Sequence, residues 1–202
     1  MQPTDTQELV VLLDDEGHAV GSAPKSQVHH ASTPLHLAFS CYLFDRDGQV
    51  LLTRRALHKR TFAGIWTNTC CGHPAPGESM AEAVRRRVRQ ELGLDIADLR
   101  CVVPDFRYYA VASDGVVENE LCPVFCGVAV GPVQADPDEI MDYSWVPWEQ
   151  LKVAAGLLDD RVIGHPRIEP RGRGRTPGDG FKRIGGAATG ADAFKTTGGG
   201  HG

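Results

Sequence analysis

The chain has no apolar run approaching the roughly 18 to 20 residues of a membrane-spanning helix, so no span is expected. Its first residues, MQPTDTQELV, lack both a basic leader and an apolar signal core, which argues against export and for a cytoplasmic protein. No Cys-x2-Cys pair occurs among Cys41, Cys70, Cys71, Cys101, Cys122 and Cys126, so a zinc ribbon has no support. Without an export signal these cysteines are expected as reduced thiols rather than a disulfide framework. Basic charge is not in excess either. With 21 Lys+Arg against 26 Asp+Glu the net charge is −5, which argues against a dedicated nucleic-acid binder. Internal repeats are absent. At 202 residues the chain is long enough for one domain with a sizeable core and too short for two generous ones.

Glycine is what the chain has in excess, with 23 residues, and 11 of them fall between Arg171 and Gly202. That segment has only Phe181, Ile184 and Phe194 as large apolar residues, too few to offset the entropy of ordering it. It is expected to be disordered. The domain is therefore expected over 1–165, with a Gly-rich tail over 166–202. Removing the six basic and two acidic residues of Arg171–Gly202 leaves 15 basic and 24 acidic, a more acidic body than the whole chain suggests.

Period and punctuation predict the elements. Strands are expected over Glu8–Asp14, Arg100–Val103, Phe106–Ala112, Leu121–Val130 and Tyr143–Val146. The apolar run Leu35–Phe44, the turn Asp45–Gly48 and Val50–Thr53 read as a hairpin, and Gly64–Gly77 as an ordered loop or a short strand plus loop. The clearest helix is Met80–Leu92. Ser79 and Glu82 fit a capping box, Ala81, Val84, Val88 and Leu92 make an apolar stripe, and Gly93 can adopt the left-handed stop. A last helix is expected from Pro147 to about Ala155, with Gly156 as its stop.

The Met80–Leu92 helix lies inside GHPAPGESMAEAVRRRVRQELGL, where Gly72, Glu78, Arg86, Val88, Glu91, Gly93 and Leu94 follow the spacing of the Nudix box. A loop feeding a capped helix can set acidic side chains against a hard divalent cation and a diphosphate. Arg87 and Gln90 stand at two positions where carboxylates are expected, which depletes the box as a hydrolytic metal site. Around it, in order, come His29, LHLAFS with His36, TNTCCGHP with Cys71 and His73, PDFRYYA with Tyr108, and VENELCPVF with Glu118 and Glu120. Together these motifs resemble the type 1 isopentenyl-diphosphate isomerases, non-hydrolytic relatives within the Nudix superfamily. The resemblance covers roughly Glu8–Leu151.

It implies an α/β/α sandwich with a mixed β-sheet and the Nudix loop-helix. It also implies a metalloenzyme that interconverts isopentenyl and dimethylallyl diphosphate, a family-like monomer that binds neither nucleic acid nor membrane. His29, His36, His73, Glu118 and Glu120 match the ligands of one divalent metal, and imidazole-rich sets suit Mn2+, Zn2+ or Fe2+. Glu91 matches the ligand of a Mg2+ ion that accompanies the substrate diphosphate, and Lys25, Arg55 and Lys59 match the residues that grip that diphosphate. Cys71 and Glu120 resemble the two proton-transfer residues, with Tyr108 orienting Glu120. An unactivated alkene is a poor base, so one positioned group must protonate it and another must remove a proton from the opposite face. The order of the two is left open.

Other residues have simpler readings. His18, His58, His165 and His201 read as ordinary surface or satisfied histidines; Arg54, Arg60 and Arg85–Arg87 as solvated faces, with Arg86 alternatively paired to a loop glutamate; and Trp66 as core or pocket wall. His30 and Cys70 are the neighbouring rivals of His29 and Cys71. The family's final Ser-Pro-Trp motif has no counterpart, since no Trp follows Trp148. The sequence beyond Leu158 reads as a replaced C-terminal helix, which would leave a wetter pocket and a weakened isomerase. Two alternatives are weighed: a Nudix diphosphate hydrolase, and a catalytically impaired metal- or diphosphate-binding relative.

Overall fold

The computed structural model describes residues 8–59, 62–111 and 115–157. The expected tail over 166–202, the proposed replacement of the C-terminal helix and the outer end of the 1–165 domain lie outside the described residues. The described residues form twelve strands and three helices: β1 (Leu9–Leu13), β2 (Ala19–Pro24), α1 (Lys25–Val28), β3 (His36–Leu37), β4 (Phe39–Phe44), β5 (Gln49–Arg55), β6 (Trp66–Thr67), β7 (Cys70–Gly72), α2 (Met80–Leu92), β8 (Asp95–Val103), β9 (Arg107–Val111), β10 (Val117–Leu121), β11 (Val124–Val130), β12 (Ile140–Pro147) and α3 (Trp148–Leu157). Among the described residues no helix is long and apolar enough to cross a membrane.

The strands divide between two mixed sheets, one ordered β2-β1-β3-β10-β9 and the other β12-β5-β4-β11-β8, with β6 on β5 and β7 on β4. Two chain segments pass side by side through both. β3 pairs in parallel with β10 in the first sheet, and their continuations β4 and β11 pair in parallel in the second. Between the sheets the pairing is kept by Ala38 N–H donating to the Leu121 carbonyl at 2.9 Å and Ser40 N–H to the Pro123 carbonyl at 3.1 Å. The expected strand Leu121–Val130 is thus two strands. Pro123 has no N–H to give to a ladder, and the chain changes sheet at Cys122-Pro123. The expected Leu35–Phe44 strand divides likewise at Ala38. Its hairpin partner β5 meets β4 in register only at Phe44–Val50 and ladders mainly with β12.

Helix α2 is where sequence and structure agree most closely. Ser79 Oγ accepts from Glu82 N–H while the Glu82 carboxylate accepts from Ser79 N–H, and Gly93 closes the helix at φ 65°. A Cβ on Gly93 would sit 2.8 Å from Gln134 Cβ, so both conformation and space call for glycine. The buried face is Ala83, Val84, Val88 and Leu92, with Ala81 exposed instead of buried. These side chains pack on Phe39, Cys41, Leu43, Leu51, Cys70 and Phe125 in the main core. Full burial of each Val or Leu contributes about 1.5–3 kcal/mol. The same face carries Glu91, only 8% exposed. Helix α3 continues through Gly156, which is therefore not its stop; one glycine costs a helix only about 1 kcal/mol.

The cap yields a direct test. Ser79→Ala removes one half of the reciprocal cap and is expected to lower unfolding free energy by about 1 kcal/mol. Urea denaturation with an unchanged slope would show that effect, and an unchanged midpoint would contradict it.

Candidate active site

His29 follows α1 as its C-cap, His36 lies on β3, His73 follows β7, and Glu120 lies on β10. Their ligand atoms all fall within 4.8 Å of one another. The three imidazoles are 5.1, 5.7 and 5.2 Å apart by ring centroid, and Glu120 Oε1 is 3.3 Å from His36 Nε2 and 3.4 Å from His73 Nε2. The Pro34 carbonyl lies 3.0 Å from His36 Nδ1, where it accepts that N–H and leaves Nε2 facing the centre of the group. His36 Nε2 is buried and makes no hydrogen bond of acceptable geometry. A divalent transition metal fits this donor set of imidazole nitrogens and one carboxylate.

The charges are strongly coupled. Burial, reinforced by the neighbouring imidazoles, holds His29 down to about 4. Burial would raise Glu120, but the close imidazoles of His36 and His73 hold it well below the usual carboxylate range. Glu118 is pushed up to about 7 by burial and by Glu120's charge. Tyr108 Oη lies 2.9 Å from Glu118 Oε2 and 2.8 Å from Glu120 Oε2. One phenolic proton cannot serve two carboxylates at once, so Glu118 and Glu120 compete for the Tyr108 hydroxyl. Glu118 thus shares Tyr108 with Glu120 and stands outside the four-residue group within 4.8 Å.

Cys71 opens onto the same cleft, a cavity of about 1320 Å3 lined by His29, His73, Tyr108, Glu118 and Glu120. Its thiol donates to Asn68 Oδ1 at 2.9 Å and lies 3.7 Å from Ser40 Oγ. The Asn68 amide is itself oriented, because Nδ2 donates to the Cys70 carbonyl at 3.4 Å. Desolvation among these groups raises the Cys71 thiol to about 11, against the pull of the Ser40 and Asn68 bonds. Cys70 turns instead into the core at 1% exposure, and His30 Nδ1 accepts from Ser32 N–H. Neither rival joins the site.

Lys25, Arg55, Lys59 and Glu91 line the cleft as well, together with Arg87, for which a solvated face is the expectation from sequence. Arg87 is instead largely buried and paired with Glu91, one helical turn away. Gly72 makes room for it: a Cβ there would meet Arg87 Cγ at 3.0 Å and Phe39 Cζ at 3.1 Å. Helical spacing from the buried Ala83 and Val84 is the signal in the chain that points Arg87 inward. Glu139, which pairs with Lys59, carries none. Arg86 pairs with the loop glutamate Glu78 at 2.7 Å and donates to the His73 carbonyl at 3.2 Å, tying the Nudix loop to the imidazole group. Trp66 is 40% exposed on β6 and belongs to neither the core clusters nor the cleft wall. Oxygen donors suit Mg2+, and Glu91 is the carboxylate that the helix offers to the cleft: burial raises its proton affinity, against the pull of the Arg87 guanidinium paired with it.

Comparison with known proteins adds three findings. A family profile for the NUDIX domain matches residues 34–168. The isopentenyl-diphosphate Delta-isomerase of Mycolicibacterium vanbaalenii is 74% identical over 179 residues, covering 82% of this chain and 99% of that protein. Those of Clavibacter michiganensis subsp. michiganensis and Frankia alni are 58% and 56% identical, covering 71% and 75% of this chain and 74% and 78% of theirs. The crystal structure of DR0079 from Deinococcus radiodurans superposes with a TM-score of 0.57 at 18% identity over 74% of this chain and 89% of that one, a likeness of fold.

The four-residue group should bind about one divalent ion per chain, measurable by elemental analysis after dialysis. His36→Ala is expected to lose it, and chelation to lower the thermal midpoint of the wild type but not of the variant. Affinity should fall on acidification, because protons compete with the metal for imidazole nitrogen. Metal retained at wild-type stoichiometry in His36→Ala would exclude this group as the site.

Proposed function

Because the chain belongs to the Nudix family and within it to the isopentenyl-diphosphate isomerases, we propose that it interconverts isopentenyl and dimethylallyl diphosphate by protonating and deprotonating opposite faces of a five-carbon allylic unit. The observation that carries this reading is one cleft holding Cys71, Glu120 with its imidazoles and Tyr108, and a set of cations at Lys25, Arg55, Lys59 and Arg87.

The cations receive the diphosphate, and Glu91 would hold the Mg2+ that comes with it. His29, His36, His73, Glu118 and Glu120 would hold the second divalent metal, which when bound would supply fixed positive charge that lowers the proton affinity of Glu120. Cys71 and Glu120 exchange protons with the two ends of the allylic unit. Adding a proton to the terminal alkene carbon leaves a tertiary carbocation, and removing one from the carbon next to the diphosphate-bearing carbon forms the new double bond. Asn68 and Ser40 aim the Cys71 sulfur, and Tyr108 orients Glu120. The carbocation must be kept from water, which would trap it as an alcohol. Phe106, 5.9 Å from Tyr108 by ring centroid, brings an aromatic wall to the cleft. A hydrolase has nothing here to favour it, since Arg87 and Gln90 occupy positions where a hydrolytic box places carboxylates.

Incubation with isopentenyl diphosphate and divalent metal in heavy water tests the proposal. Deuterium should appear in dimethylallyl diphosphate, and Cys71→Ala and Glu120→Gln should each slow its appearance by about 10²-fold or more. Release of free phosphate without labelling would sink the isomerase reading.

A further inference from the structure

Lys59, Glu139, Arg87 and Glu91 form one chain of ion pairs along the wall of the cleft. Lys59 Nζ and Arg87 Nη2 both face Glu139 Oε2, the latter at 3.6 Å, and Arg87 Nη2 also pairs with Glu91 Oε1. The side chains are 22% (Lys59), 25% (Glu139), 12% (Arg87) and 10% (Glu91) exposed, so solvent screens these charges only partly. Glu139 belongs to no recognised motif and is placed by tertiary structure alone. Its carbonyl accepts from Ala56 N–H at 3.0 Å and its N–H donates to the Asp136 carbonyl at 3.0 Å. Asp136 N–H in turn donates to the Glu91 carbonyl at 2.8 Å. The turn carrying Glu139 is thereby fastened both to the end of α2 and to the chain leading to Lys59.

Two cations and two carboxylates cancel. As it stands this end of the cleft offers a multiply charged anion little net attraction, and each cation already has a carboxylate partner. A bare diphosphate that displaces Glu139 from Lys59 and Arg87 leaves two carboxylates facing further negative charge. A diphosphate already complexed to a divalent cation brings the positive charge that Glu91 and Glu139 then face. Resting on the diphosphate reading above, we propose that Glu139 is a specificity residue that makes the site select the metal-complexed diphosphate over the free anion.

The probe is inorganic pyrophosphate, titrated calorimetrically into the full chain with Mg2+ or with a chelator of Mg2+. Wild type should bind the magnesium complex at least about tenfold more tightly than the free anion. Glu139→Gln, equal in size but uncharged, should shrink that preference to about threefold or less, chiefly through tighter binding of free pyrophosphate. Glu139→Asp keeps the charge and should keep the preference, which a purely space-filling role would not predict. Thermal unfolding checks that each variant folds; should Glu139→Gln not fold, wild type and Glu139→Asp carry the test. A wild type without preference, a Glu139→Gln preference equal to wild type, or a Glu139→Asp preference as low as that expected of Gln would each overturn the inference. A wild type that binds pyrophosphate in neither condition would overturn the diphosphate reading itself, and the inference with it.

Discussion

A buried carboxylate governs the arrangement of this molecule. Glu120 is 6% exposed, and an isolated ionised carboxylate at that depth costs several kcal/mol after relaxation. The fold supports it with partners drawn from three distant parts of the chain. Sheet register supplies two of them: Glu120 is aligned with His36 across the parallel β3–β10 pair and with Tyr108 across the antiparallel β9–β10 pair. His73 comes from the second sheet and is held through its carbonyl by Arg86. A one-residue slip of β10 would turn Glu120 to the opposite face and undo every one of these contacts.

The parallel segments that align His36 with Glu120 continue into the second sheet, and there they place Cys71, the other residue of the proposed proton transfer. Ser40 is aligned with Cys71 across β4–β7, while its hydroxyl also lies 3.5 Å from Cys122 Sγ, just beyond β10. The position of the cysteine relative to the carboxylate is thus fixed by backbone ladders rather than by a flexible loop. The short connection Asn68–Thr69 is pinned too: Thr69 Oγ1 donates to the Leu51 carbonyl at 2.6 Å and accepts from Leu43 N–H at 2.8 Å, joining β4 and β5. Proton transfer to carbon needs reacting atoms held to fractions of an ångström, and the junction of two sheets provides that rigidity without closing the cleft.

Features that depend only on neighbours in the chain are legible in the amino-acid sequence. The capping box at Ser79 and Glu82, the left-handed Gly93, and the alternation that sets Glu118 and Glu120 on one strand face are of this kind. The division of Leu121–Val130 is hidden by its unbroken apolar character, although Pro123 marks the place. Ala83 replaces Ala81 on the buried face because the two are nearly interchangeable until the helix is rotated against a core. Arg87 is hard to place for a related reason: in a run of three arginines, helical phase decides which one turns inward. Glu139 has no local signature at all, since only the folded chain brings it to Lys59 and Arg87.

Arg87 also explains how a Nudix helix can serve chemistry other than hydrolysis. Hydrolysis of a diphosphate benefits from several carboxylates that gather metal ions and activate water beside phosphorus. Here the residue one turn before Glu91 is a cation, and it occupies the space that Gly72 leaves open. Its charge opposes the gathering of further metal at the helix and favours holding a phosphate group in place. On the proposed reading, the helix therefore keeps its ability to grip a diphosphate while losing the means to cleave it. The diphosphate becomes a handle, and the reacting carbons fall to Cys71 and Glu120, which the sheet junction has already set in place.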